Sequence, residues 1–276
     1  MSDAPFPSTS FSQAARGGAQ PPDRAVANFD RPGTRVSLPT ADHEVCAKRR
    51  APLTDDEIQS IANRLRRYSR RSPGDLALFY LMLTTGAKPL ELARLRVQDV
   101  IAASGAIRSE ARIPAIAAIN GVERPIYLKS EVAVDATLIY LQHRVARGQG
   151  AGNAPAFAGL DPVTPLLLNH QGRPYEIVES SGNGGNRYLC RGILETCRRV
   201  FRLSGIPGLC GSTIRRTLAR RLSDRGATIE QIGEALGIKD RKAIRDLLDL
   251  HPIALPTLFD EIVCQKGTTA PAVDPR

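Results

Sequence analysis

The chain has 276 residues, 42% of them hydrophobic, and carries 38 Lys and Arg against 28 acids for a net charge of +10. That length suits one large domain or two small ones, and the charge points to a polyanionic partner, nucleic acid first. No apolar run approaches the roughly 18 residues of a membrane span, and the N-terminus lacks the apolar core of a signal peptide; a cytoplasmic, nucleoid-associated protein with no membrane contact is expected.

Residues 1–50 are rich in Pro, Gly, Ser and Ala and end in a basic "KRR". They lack apolar periodicity, which predicts disorder. A helix opens at "LTDDEIQSIANRLRRYSRR", with Thr54 as N-cap and Glu57 completing a capping box. Ile58, Ile61, Leu65 and Tyr68 form its apolar face, and arginines crowd the other side. "DLALFYLMLTTG" is almost wholly apolar and predicts a buried helix. Gly86 ends it, and Pro89 suits the first turn of the next helix, "PLELARLRV".

Between about residues 97 and 129 the composition turns to Ile and Val around Asn120-Gly121. Asn-Gly between apolar runs predicts a hairpin, and a small antiparallel sheet of about three strands is expected. "SEVAVDATLIYLQHRVARG" returns to helix, and "PLLLN" reads as a short extended segment. "ESSGNGGNRYLCRGILETCRRVFRLSGI" reads as a glycine-rich loop feeding a basic helix. The fold class expected is mainly α with a small antiparallel sheet.

Metal and disulfide chemistry find little support. Cys46, Cys190, Cys197, Cys210 and Cys264 are scattered, odd in number and without a Cys-x-x-Cys pair. His43 lies three residues before Cys46, but no second pair completes a zinc set. No metal and no cofactor are expected.

The stretch "TIRRTLARRLSDRGATIEQIGEALGI" admits two readings. Alone, "LARRLSDRG", "TIEQIGEALG" and "RKAIRDLLDL" make a helix-turn-helix. Taken with "TTGAKPLELARLRVQDV", the hairpin, "GRP", "LSGI", "STIRRTLARRL" and "ALGI" in this order, the chain resembles the catalytic domain of tyrosine recombinases, the integrase and Xer-like family. The resemblance runs from about residue 51 to about residue 255. It implies a domain over 51–265 and one jaw of a clamp on double-stranded DNA; residues 266–276 read as a disordered tail.

In that family a tyrosine attacks a phosphodiester, two arginines hold the phosphate, and a hairpin lysine and two His or Trp positions assist. Carried onto this chain, the first arginine becomes Lys88, the hairpin lysine falls at Ile119, and His-x-x-Arg becomes Ser212 and Arg215. Leu-Gly-His becomes Leu236, Gly237 and Ile238, and the nucleophile position falls near Leu247. No tyrosine follows Tyr188 anywhere in the sequence. Catalytic residues are therefore expected to be absent. Cys210 and Ser212 have no base placed for them.

The resemblance also implies a major-groove helix after "SSGNGGNRYLCRG". Arg187 and Arg191 are four apart and share one face if helical, with Asn186 beside them. These three are the expected base readers, and Lys88, Arg215 and Arg216 the expected phosphate contacts. The expected function is a non-catalytic DNA-binding protein, a transcriptional regulator or an accessory factor of a mobile element. The alternatives are an inactive subunit of a mixed recombinase, a helix-turn-helix regulator, and a protein-interaction module. Leu255, Leu258, Phe259 and Ile262 recur at helical spacing, which predicts self-association or a protein partner on DNA.

Overall fold

The computed structural model describes residues 50–152, 155–182 and 185–249. The expectations for residues 1–49 and 250–276, including the self-association segment, fall outside the described residues. Nine α-helices and four short strands are described, and the architecture is mainly helical with antiparallel pairs, as expected.

Helix α1 (Asp55–Tyr68) starts as its sequence demands. Thr54 Oγ1 accepts from the Glu57 amide at 3.2 Å, and Glu57 Oε2 accepts from the Thr54 amide at 3.1 Å. Acids fill its first turn and Arg66 and Arg67 its last, matching the helix dipole. Ile61 and Leu65 are buried, but Tyr68 is exposed, with Arg64 and Arg67 stacked on its ring at 5.2 and 5.4 Å. The apolar face thus stops one turn earlier than expected.

Helix α2 (Ser72–Thr85) is the centre of the fold. It packs against α1 and against α5 (Glu131–Ala146), α6 (Arg191–Ser204) and α7 (Gly211–Asp224). Neighbours on so many sides explain its unbroken apolar sequence, which buries Phe79 and Leu81 completely. Gly86 caps it in the left-handed region at φ 60°. Pro89 then opens the short α3 (Pro89–Arg94), and α4 (Val97–Val100) follows.

Strands β1 (Glu110–Ile113) and β2 (Arg124–Tyr127) pair antiparallel, with Ile113 opposite Arg124. Asn120-Gly121 does turn the chain: Gly121 has φ 66°, and Asn120 Oδ1 accepts from the Val122 amide at 3.1 Å. It sits inside a longer connection, residues 114–123, and not in a two-residue turn. The expected third strand is absent from this sheet. "PLLLN" contributes only an isolated bridge, Arg96 to Pro165, with Leu166 and Leu167 buried beneath it.

The glycine-rich stretch departs from expectation as well. It forms a hairpin, β3 (Val178–Gly182) with β4 (Gly185–Leu189), where a loop was expected. Its strands are polar and Gly-rich, so no apolar alternation announced them; backbone pairing alone defines the pair.

Helix α7 also begins a small second cluster with α8 (Ile229–Leu236) and α9 (Arg241–Leu248). Ala219, Ile232, Leu236, Ile244 and Leu248 are its buried members. Thr228 and Gln231 form the capping box of α8, and Gly237 ends it at φ 65°.

A Cβ placed on Gly86 would lie 2.4 Å from Leu236 Cδ2, and Leu236 is itself buried. Strain at positive φ costs about 1–2 kcal/mol for a residue with a side chain, and the contact adds to it. Gly86→Ala is expected to lower stability by about 2 kcal/mol. Urea denaturation measures this, and an unshifted midpoint would contradict the packing of α8 over the end of α2.

Candidate nucleic-acid interface

The C-terminal end of α2 is where the predicted positions meet. Lys88 is exposed at the N-cap of α3, and its amide donates to Glu91 Oε2 at 2.9 Å. The other Glu91 oxygen lies 3.4 Å from the amide of Ile119, in the β1–β2 connection. Arg215, one turn into α7, donates from Nη1 to the Gly86 carbonyl at 2.7 Å and from Nη2 to the Leu236 carbonyl at 3.0 Å. Asn120 Nδ2 reaches the Gly237 carbonyl at 3.3 Å, which ties the hairpin connection to the end of α8 beside Ile238. Lys88, Ile119, Arg215 and Ile238 therefore belong to one neighbourhood although up to 150 residues separate them in sequence.

At its centre is a residue that sequence reasoning missed. Arg124, on β2, is 3% exposed. Its Nη2 pairs with Glu91 Oε2 at 3.0 Å, and its Nη1 donates to the carbonyls of Thr85 at 3.2 Å and Ala235 at 2.5 Å. Its Nε has no acceptor among the described residues. The signal was present: along β2 the inward phase holds Arg124 and Ile126, so a charge occupies a core position.

The electrostatics follow from this packing. Burial pulls the Arg215 guanidinium down to about 10; the Glu91 carboxylate opposes that fall, and Arg124 adds to it. Arg215 stays cationic at neutral pH. Two of its five donors are held by main-chain carbonyls, which fixes its plane and leaves others for an anion. With exposed Lys88 nearby, this is a preset cationic patch suited to a phosphate oxygen.

Ser212 is exposed in the first turn of α7, and its hydroxyl lies 2.9 Å from Cys210 Sγ. Leu247 sits in α9, packed against the small apolar cluster, where the nucleophile was expected. Ile119 and Ile238 have no group that can donate or accept a proton.

Three expectations for DNA contact change. Arg216 is 8% exposed; its Nε donates to the Leu247 carbonyl at 3.2 Å and its Nη1 to the Arg50 carbonyl at 2.7 Å. It braces α9 and the chain entering α1, so it is not a surface phosphate contact. Asn186 and Arg187 lie in β4, opposite Ser181 and Ser180. The helical face proposed for Arg187 with Arg191 therefore does not exist. Arg191 does open α6 and is exposed. Arg94 of α3 stacks over Tyr188 at 4.4 Å, which ties the base of this hairpin to α3.

Solved structures share this arrangement of elements. The fold is that of the tyrosine-recombinase catalytic domain. The crystal structure of XerA recombinase matches with a TM-score of 0.52 and 17% identity, over 78% of this chain and 66% of that one. XerH site-specific recombinase bound to its difH substrate in a pre-cleavage complex matches with a TM-score of 0.51 and 15% identity, over 79% of this chain and 55% of that one. The chain thus spans between about half and two thirds of the lengths of these structures. No family model and no curated protein matches it.

Removing one partner of a buried pair leaves the other charge uncompensated, which costs about 3–5 kcal/mol. Glu91→Ala is expected to destabilise the domain by that amount, while Glu91→Leu with Arg124→Met recovers most of it. Chemical denaturation of the three proteins checks this; equal stability of Glu91→Ala and the parent would show that the pair does not hold the junction.

Proposed function

We propose that this chain is a DNA-binding protein built on a tyrosine-recombinase fold that has lost strand cleavage. One observation carries the reading: a fixed, partly exposed arginine and a neighbouring lysine are assembled at the expected phosphate position, while α7, α8 and α9 contain no tyrosine and none follows Tyr188 in the sequence. The two matched structures are recombinases, and one is bound to its DNA substrate. The net charge of +10 suits a duplex partner. Its role is then regulatory or accessory, as an element-borne factor or a transcriptional regulator. The C-terminal segment past residue 253, with Leu255, Leu258, Phe259 and Ile262, supplies self-association on DNA.

Loss of cleavage has a direct test. A nicked suicide duplex incubated with the protein is expected to give no protein-linked band on a denaturing gel. A band that survives boiling in detergent would end the reading.

Binding has its own test. Each phosphate contact releases counterions, so duplex affinity is expected to fall steeply between low and moderate salt. Arg215→Ala weakens cognate and random duplex to a similar degree and flattens the salt slope by about 1. Arg191→Ala lowers preference for the cognate site by about 1–3 kcal/mol. Fluorescence anisotropy at two salt concentrations reads both effects. Salt-independent or absent binding would favour a protein-interaction module, and equal loss on both duplexes with Arg191→Ala would remove the base-reading role.

A further inference from the structure

A second basic site lies at the other end of α2. A cleft opens between the first turn of α2, the C-terminal end of α5, the middle of α6 and residues 167–170. Tyr140 and Tyr175, both buried, help line it, and Arg70, Arg71, Arg147 and His170 stand exposed around it. Asp75 is the one carboxylate in its lining. That acid is already neutralised: Arg199 Nη1 and Nη2 donate to its two oxygens at 2.6 Å each, and the Ser69 hydroxyl adds a third bond at 2.5 Å.

Arg70, Arg71 and Arg147 have no carboxylate within ion-pair reach among the described residues. Cations gathered at one concave place, beside an acid that is fully engaged, produce a local positive potential that an anion relieves. Guanidinium groups match phosphate geometry with paired donors. Tyr140 and Tyr175 lie beneath, each with less than a tenth of its surface exposed, so the lining combines a polyanion-binding rim with a small aromatic patch. This is not the Arg215 site. The helical run from Asp75 to Gly86 separates the two by roughly 16 Å at 1.5 Å per residue.

We propose that this cleft binds a small phosphorylated compound of the nucleotide class, with its phosphates on Arg70, Arg71 and Arg147 and its ring against Tyr140 and Tyr175. Such a ligand contacts α2, α5 and α6 together.

Isothermal titration of the full chain, free of DNA, with ATP and with pyrophosphate tests the site. ATP is expected to bind, and pyrophosphate to bind more weakly because it lacks a ring. Arg71→Ala with Arg147→Ala, both at exposed positions, is expected to weaken ATP by about tenfold or more without changing the thermal melt. Absence of heat with ATP at millimolar concentration, or equal ATP affinity in the variant, overturns the proposal. If ATP gives no heat while the variant loses duplex affinity, these arginines belong to a DNA backbone contact and the small-ligand site is wrong. The titration contains no DNA, so its failure is separate from failure of the duplex-binding reading.

Discussion

The buried pair between Glu91 and Arg124 is the contact on which the junction depends. Two charges removed from water cost several kcal/mol each unless every remaining donor and acceptor is engaged. Here the carboxylate takes the amide of Lys88 and lies near that of Ile119, while the guanidinium takes the carbonyls of Thr85 and Ala235 and leaves only its Nε without an acceptor among the described residues. Each partner is a main-chain group on a different segment. The pair therefore sets the end of α2, the start of α3, the hairpin connection and the end of α8 at one mutual distance. Arg215 repeats the device between the Gly86 and Leu236 carbonyls. Small shifts in any of these segments would break further bonds to a buried charge, which opposes rearrangement of the cationic patch.

Arginine does two kinds of work in this molecule. Arg144 is fully buried and donates to the carbonyls of Pro165, Leu166 and Gln149, which pins the segment after α5. Burial lowers its pKa, with Tyr140 opposing. Arg216 and Arg199 are likewise engaged inside the fold. Others, such as Arg221 with Asp55 and Arg241 with Glu230, form surface pairs worth little individually. The net charge therefore overstates the number of cations free to meet a polyanion. For the proposed duplex partner, what counts is the subset held at the surface without a carboxylate partner.

A scaffold and its chemistry are separable, because packing and cleavage depend on different atoms. The recombinase fold needs the apolar face of each helix, the caps and the buried pairs. Cleavage needs a nucleophile and proton donors at a few places where many side chains pack equally well. Leu247 and Ile238 satisfy the first requirement by joining the small apolar cluster. They cannot satisfy the second. On the proposed reading, a cationic surface outlasts such replacements, and that is what duplex binding without strand transfer requires.

By itself the sequence determined the elements whose signals are local. The Thr54 capping box, the apolar run of α2, the Gly86 stop and Pro89 all depend on residues within a turn or two of one another. The missing tyrosine is equally a fact of the sequence. Only the tertiary structure decided the roles of residues whose partners are remote. The hairpin β3–β4 pairs polar strands through backbone groups that carry no side-chain signature. Arg216 is adjacent to Arg215, yet one points to Gly86 and Leu236 and the other to Arg50 and Leu247. The 100° step between neighbouring helical residues separates them, but which direction is interior depends on α8 and α9 packing. Arg124 showed itself only as a charge in a core phase; that Glu91 would meet it, 33 residues away, required the folded chain.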